Sequence, residues 1–456
     1  MVDDQIERPT RISLGQSNWL FGGAVFVIMW ATLIAYYQFK FDLNIPPSTS
    51  GDEVDYDSLG WELAHGRGFR VDLNDPEFRE PYDVAAQTSE RFRLPHRESE
   101  ISTTRPPFYP WAISYINRLV GRQFWGTRIL DAAFVAATGA LLAVCVRQDF
   151  GMTAAGLSII LFLGVDVRTR LYGRAILTEA MAMFFVSLIC VVILKLRFHK
   201  FRSRIDDILF SVAIGLLIGF AVLVRTLMIL WLPGICLLLL LIWMRLGFSA
   251  KRSALLVACA MSGVLLAIVP WCVRNIAVTG EFMPMGTQGL VQLSASFGDE
   301  VWESGGVWRN LEHSGFFDEV VSDDQTPVER EVAKAKWSRT QAKEWIFHQP
   351  GRAIALIPMK IKEEFRPRNL TEAVILCLFL LGIWPALWTS SGRVCLALLA
   401  INAIAIGATW SVEGRFLVPV LLPMHYVAVL GIVWIALMIP FAPLQRVFAQ
   451  RQVREA

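Results

Sequence analysis

Long apolar runs separated by short polar links dominate this chain. Runs at about 18–38, 124–146, 152–166, 175–195, 206–224, 227–244, 254–273, 371–389, 393–411 and 417–439 each reach or approach the ~20 apolar residues that a helix needs to cross a hydrocarbon core. Ten crossings are expected, with the third the shortest. The first run exceeds the ~7–15 residues of a signal-peptide core and no A-x-A-like site follows it, so it reads as a retained helix. Two polar stretches, 39–123 and 274–370, interrupt the pattern. Inside them, RPPFYPWAISYINRLVG (Arg105–Gly121) and QPGRAIALIPMKIKEEFRP (Gln349–Pro367) mix apolar and basic positions, which predicts helices lying on the membrane surface. A charged run from about Pro327 to Phe347 predicts a third helix outside the apolar segments.

The fold class implied is an all-α polytopic membrane protein of about ten to twelve transmembrane helices, with interfacial helices and a small extracytoplasmic region. Three parts are expected. Residues 1–273 form an N-terminal transmembrane module whose first outer loop (39–123) carries the candidate catalytic acids; 274–370 form an extracytoplasmic region; 371–456 supply the C-terminal transmembrane helices.

Composition agrees with the pattern. Hydrophobic residues make up 54% and charged residues 18%, below the roughly 25% charged share of a soluble domain. The net charge is +3, and no basic run is interleaved with aromatics, so nucleic acid is not an expected partner. All seven cysteines fall in apolar segments without CxxC or CxxH spacing, and they read as small buried hydrophobes.

Lys and Arg set the orientation. With the N-terminus inside, the cytoplasmic segments carry fifteen basic residues: Arg8, Arg11, Arg147, Lys195, Arg197, Lys200, Arg202, Arg204, Arg245, Lys251, Arg252, Arg393, Arg446, Arg451 and Arg454. The short outer turns carry only Arg168, Arg170, Arg174, Arg225 and Arg415. Both termini are expected in the cytoplasm and both polar stretches outside.

Candidate chemistry gathers at the outer rim. Asp52, Glu53, Asp55 and Asp57 follow the first crossing closely, and a carboxylate there can act as general base toward a hydroxyl. The same acids also read as a solvated loop or as caps of a following helix, with Ser50 and Asp52 of N-cap type. Glu179 lies at the outer mouth of the fourth apolar run, where an ionisable group is costly, although a helix-start carboxylate beside Thr178 accounts for it equally well. Arg168, Arg170, Arg174, Arg225, Arg274 and Arg415 stand at outer helix ends and Arg105 opens the aromatic segment. Such a set suits a phosphate gripped bidentately; each arginine singly also suits snorkelling, or pairing with acids such as Asp166 and Glu413. The six histidines lack i, i+4 metal spacing and none is assigned as a ligand; a divalent cation at the outer carboxylates stays open.

Five stretches in this order, DEVDY with GWELAHGRGF, RPPFYP, LTEAMAMFF, PWCVRNIAVTGEFMP and EGRFLVPVLLP, resemble the membrane glycosyltransferases of C-type fold that take sugar from a polyprenyl-phosphate donor. The nearest resemblance is to the dolichyl-phosphate-mannose-protein mannosyltransferase and aminoarabinose transferase families. It implies Asp52 as base with Glu53 in support or binding a cation, and Glu179 as a second acid orienting acceptor or sugar. It implies Arg105 as a donor-phosphate contact, with Arg174, Arg274 and Arg415 as weaker ones, and Tyr56 and Tyr109 as acceptor or sugar contacts. Asp55 and Asp57 keep their reading as polar residues of the turn and early helix. The implied activity is a hexosyl- or pentosyltransferase of mannosyltransferase-like type, acting by inverting single displacement. Its implied partners are a polyprenyl-phosphate-linked sugar and a protein, lipid or glycan acceptor.

A lipid or solute transporter or flippase is the alternative. It predicts internal repeats and Gly/Pro-broken helices near mid-bilayer, whereas the charges here crowd the outer rim. A non-catalytic scaffold gives acids and arginines no reason to converge. The absence of a GxxxxGK[ST] loop fits a reaction that needs no nucleotide. The compact outer regions and lack of eukaryotic targeting signals suggest a bacterial inner membrane.

Overall fold

The computed structural model of the protein describes residues 16–49, 51–196 and 203–438. Ser50, His199 and eight of the basic residues behind the expected orientation (Arg8, Arg11, Arg197, Lys200, Arg202, Arg446, Arg451, Arg454) lie outside them.

Among the described residues nine helices are long and apolar enough to cross a membrane: 18–40, 124–150, 179–196, 204–224, 226–245, 250–279, 370–388, 390–408 and 415–438. Among the described residues the fold is all-α apart from an isolated bridge, Val307↔Ser411, and a two-residue antiparallel pairing, Arg70↔Ile101 and Val71↔Glu100, that closes a loop within the first polar stretch.

The expected crossing at 152–166 differs. It consists of 8 residues of α-helix and 6 of π-helix, about 21 Å of rise at ~1.5 Å per residue, short of the ~30 Å hydrocarbon core. Asp166 ends it. The carboxylate of Asp166 accepts from the Arg168 backbone N–H (3.0 Å) and so starts a separate short helix, Val167–Tyr172.

Close packing brings the spans together where side chains are absent. A Cβ at Gly215 would meet the Ala260 carbonyl oxygen at 1.8 Å, and one at Gly382 would meet that of Val427 at 1.9 Å. Glycine at these positions lets helices 204–224 and 250–279, and 370–388 and 421–438, approach backbone to backbone. Three cysteines (Cys145, Cys190, Cys395) are buried as the sequence suggests, but Cys377 is exposed on the outside of its helix.

Two amphipathic helices match the surface segments read from the sequence. Helix Phe108–Val120 exposes Trp111, Tyr115 and Leu119, spaced i, i+4, i+8 along one stripe, and buries Tyr109, Ile113 and Asn117. Helix Pro350–Phe365 exposes Ile354 and Ile357 and buries Ala353, Leu356, Lys360 and Glu364. Helix Pro327–His348 opens with a full capping box between Thr326 and Glu329. Its Ala335 joins Met283, Val291, Leu311 and Phe317 in a second, smaller hydrophobic cluster, separate from the main core.

Candidate active site

The acids of the first polar stretch open a helix, Asp52–Ala64, whose N-cap is Gly51. Asp52 is therefore the first helical residue and not the cap, so the capping reading of Asp52 does not hold; that of Ser50 lies outside the described residues. Three carboxylates in the first turn suit the positive end of the helix dipole. Gly60 sets this helix against Phe108–Val120, because a Cβ there would meet Ile113 Cγ2 at 2.3 Å. The ring of Tyr56 meets that of Tyr109 edge-on at 5.5 Å.

Helical periodicity then sorts the acids. Asp52, Asp55 and Tyr56, at i, i+3 and i+4, line one wall of a cavity of about 1010 Å³. Glu53 and Asp57, also four apart, point elsewhere. Asp57 is buried and receives both Nη atoms of Arg122 (2.8 and 2.7 Å) and the Tyr82 hydroxyl (2.8 Å), an anchor for the stretch. Glu53 Oε1 accepts from the Ile176 backbone N–H (3.0 Å) and so holds the segment just before Glu179.

The cavity floor is a ladder of alternating charge. Arg105 Nη2 lies 2.7 Å from Asp55 Oδ2 and 2.8 Å from Asp52 Oδ1. Arg415 Nη1 lies 3.0 Å from Asp52 Oδ2, while its Nε donates to Glu179 Oε1. Arg225 Nη1 donates to the same Glu179 oxygen at 2.8 Å, and its guanidinium lies over the Phe416 ring. Arg97 reaches Asp55 Oδ1 at 3.3 Å. Gln288 accepts from Arg105 Nη1 (2.9 Å) and donates to the Thr104 carbonyl.

Burial alone would push the Asp52 carboxyl up, but the guanidiniums of Arg105 and Arg415 outweigh it and hold it well below the usual carboxylate range. The same pairing raises Arg105 against its own burial. Burial pushes the Tyr56 phenol up to about 12 and raises Glu53, whose hydrogen bond from Ile176 and proximity to Arg128 offset only part of it.

Not every residue singled out from sequence reaches the cavity. Glu179 is fully buried behind Arg225 and Arg415, which line the wall in its stead, and Glu179 Oε2 has no hydrogen-bond partner. Tyr109 is buried and donates to Asp131 Oδ2 (2.7 Å) rather than facing a ligand. Arg174 lies over the Phe41 ring at 3.7 Å. Arg274 donates to the Ser102 carbonyl (2.7 Å) and rests on Phe69 and Trp271. Glu53, Tyr109, Arg174 and Arg274 are thus all off the lining. Among the other outer arginines, Arg168 pairs with buried Asp166, as the acid-pairing alternative anticipates.

Two residues gain in importance. Asp55 faces the cavity although the sequence reading left it as a polar turn residue. Arg225, named there only as one of a set, was marked by its place as a lone charge between two apolar runs. The residues present do not fit a divalent cation. Asp52 and Asp55 are already engaged by guanidiniums, and among the described residues no three His, Cys, Asp or Glu side chains converge.

Another wall comes from the second polar stretch, 274–370. Trp308 donates from Nε1 to Gln292 (2.6 Å), Lys334 pairs with Glu331 (3.1 Å), and Arg330 reaches across to Glu98 (2.8 Å). All three parts of the chain expected from sequence thus contribute to the cavity: Asp52 and Arg105 from the first, Trp308 from the second, Trp410 and Arg415 from the third.

Residues 104–273 match the family model of the dolichyl-phosphate-mannose-protein mannosyltransferases. That stretch holds Arg105, Glu179 and Arg225 but neither Asp52 nor Arg415. Among solved structures the chain is similar to ArnT from Cupriavidus metallidurans bound to undecaprenyl phosphate, with 16% identity and a TM-score of 0.40 over 91% of this chain and 77% of that one. It is also similar to the archaeal oligosaccharyltransferase AglB from Archaeoglobus fulgidus, in complex with an inhibitory peptide and a dolichol-phosphate. There the identity is 14% and the TM-score 0.49, over 93% of this chain and 51% of that one. No curated protein matches the chain.

Proposed function

We propose that this protein is a membrane glycosyltransferase that moves a sugar from a polyprenyl-phosphate donor to an acceptor hydroxyl on the extracytoplasmic side. The observation that carries the reading is Asp52, held between Arg105 and Arg415 on the wall of a large cavity lined by both charged and apolar residues. The family match over 104–273 supports it.

The chemistry follows from those three side chains. The acceptor oxygen attacks the anomeric carbon, and its proton passes to Asp52. The bond from that carbon to the phosphate oxygen breaks, with its electron pair leaving on the lipid phosphate. Arg105 and Arg415, with Arg225 beside them, neutralise the charge that grows there. Single displacement inverts the anomeric centre. Tyr56 lines the same wall and is placed to contact the sugar. Glu179, out of reach of a ligand, sets two of these three arginines, Arg225 and Arg415.

Paired with two guanidiniums, Asp52 is a weak base. A donor phosphate competes for the same guanidiniums, and as they turn to it the carboxylate is freed and its basicity rises. The base is thereby strengthened when the donor arrives.

Membranes containing the protein are expected to release polyprenyl phosphate from a radiolabelled polyprenyl-phosphate sugar in the presence of acceptor. Because kcat/KM reports the free enzyme, its profile for the donor should show no acid limb at the ~3.9 of an ordinary aspartate. Asp52 stays ionised below that pH, and the limb is displaced downward. No release with any acceptor class, whether protein, lipid or glycan, would overturn the reading.

The orientation carries its own test. A cysteine at exposed Asp323 should react with a membrane-impermeant thiol reagent in intact spheroplasts, measured above the wild-type background; labelling seen only after lysis would place the cavity in the cytoplasm.

A further inference from the structure

Arg415 is central to the ladder, yet it stands on an awkward piece of chain. The turn that carries it, 409–414, links helix Ser390–Ala408 to the 3₁₀ segment Arg415–Val420. It holds two successive left-handed residues, Glu413 at φ +46° and Gly414 at φ +82°. A non-glycine residue in that region costs free energy and persists only when its surroundings impose it.

The Trp308 backbone N–H donates to the Ser411 carbonyl (3.0 Å) from one side, but the side-chain contacts that bracket Arg415 come chiefly from one helix. Glu364, fully buried on Pro350–Phe365, accepts three hydrogen bonds from the turn and the residue after Arg415. Its Oε2 takes the Ser411 hydroxyl (2.8 Å) and the Val412 N–H (3.0 Å), and its Oε1 takes the Phe416 N–H (2.6 Å). One turn earlier, Lys360 donates from Nζ to the Thr409 carbonyl (2.6 Å) and lies over the Phe297 ring. Burial pushes the Lys360 amine down to about 7, and among the described residues no carboxylate pairs with it, so it serves as a hydrogen-bond donor rather than as an ion-pair partner. Neither Lys360 nor Glu364 lines the cavity.

We propose that Glu364, assisted by Lys360, is a positioning residue for the proposed reaction: it fixes the turn at both sides of Arg415, so that this arginine bridges Asp52 and Glu179 and meets the donor phosphate. The proposal rests on the glycosyltransferase reading. A carboxylate is the group required, since its two oxygens meet donors on both sides. An amide presents one N–H₂ toward a donor whichever way it is turned, and one anchor is lost.

The test uses the full chain in nanodiscs, with undecaprenyl phosphate as the probe. Glu364→Gln is expected to raise the Kd about tenfold, the value of one misplaced charged contact. In an Arg415→Lys background the same change should add nothing further, because its effect passes through Arg415. An unchanged Kd in Glu364→Gln, or a full additive loss in the Arg415→Lys background, overturns the proposal, the latter by showing a general structural role. Wild-type protein that ignores undecaprenyl phosphate overturns the glycosyltransferase reading itself, and this role with it. If Glu364→Gln does not accumulate, Ser411→Ala removes a single donor to the same carboxylate and should follow the same cycle, with about a threefold loss.

Discussion

Asp52→Asn is expected to lower kcat for a polyprenyl-phosphate sugar by about 10²–10⁴-fold, the range that a positioned general base supplies. The direction of KM is the sharper signature. Asparagine keeps the shape of the side chain but removes the negative charge that Arg105 and Arg415 share. Both guanidiniums then have more free charge to offer a phosphate, so the donor should bind more tightly while it reacts more slowly. A drop in kcat accompanied by a drop in KM is the mark of an interaction that competes with the ground state and serves the transition state. Sugar release by the variant at the wild-type rate would remove Asp52 as base.

Arg415→Met should damage both folding and turnover. It takes from fully buried Glu179 one of its two guanidinium partners and from Asp52 another. Leaving a buried charge with no partner costs about 3–5 kcal/mol; Glu179 keeps Arg225 and Asp52 keeps Arg105, so the loss here should fall below that range. The midpoint of thermal unfolding in detergent should fall accordingly. Adding Glu179→Gln removes the under-compensated charge and should restore part of the stability, but not turnover, since the phosphate contact is still missing. Should the double variant regain turnover, Arg415 would be a structural partner of Glu179 and nothing more.

These two expectations separate roles that the linear sequence left merged. Asp52, Arg105 and Arg415 could be named from their types, their place at the outer ends of apolar runs and the resemblance of their surrounding motifs. Glu53 could not be separated from Asp52 that way, although the reason is elementary. Adjacent helical residues point about 100° apart, so of the four acids only the pair at i and i+3, Asp52 and Asp55, shares the cavity face. Reading helical phase from Gly51 onward would have exchanged Glu53 for Asp55. Arg174, Arg274 and Tyr109 were drawn in by motif and by position at helix ends, but their side chains are spent on Phe41, the Ser102 carbonyl and Asp131.

The sequence by itself determined the class of molecule, nine of its ten expected spans and the amphipathic character of the helices at 108–120 and 350–365. These depend on hydropathy and period, which are local properties that each segment carries wherever it packs. Only the tertiary structure decided which charges meet. The ladder from Asp55 through Arg105, Asp52, Arg415 and Glu179 to Arg225 joins residues separated by up to several hundred positions. Their pairing follows from how helices 179–196 and 415–438 and the loop helix come to rest on one another. The strained turn under Arg415 is set in the same way, by a carboxylate some fifty residues away on another helix. No local pattern encodes such distances, because the free energy that selects them is that of burying opposite charges together rather than apart.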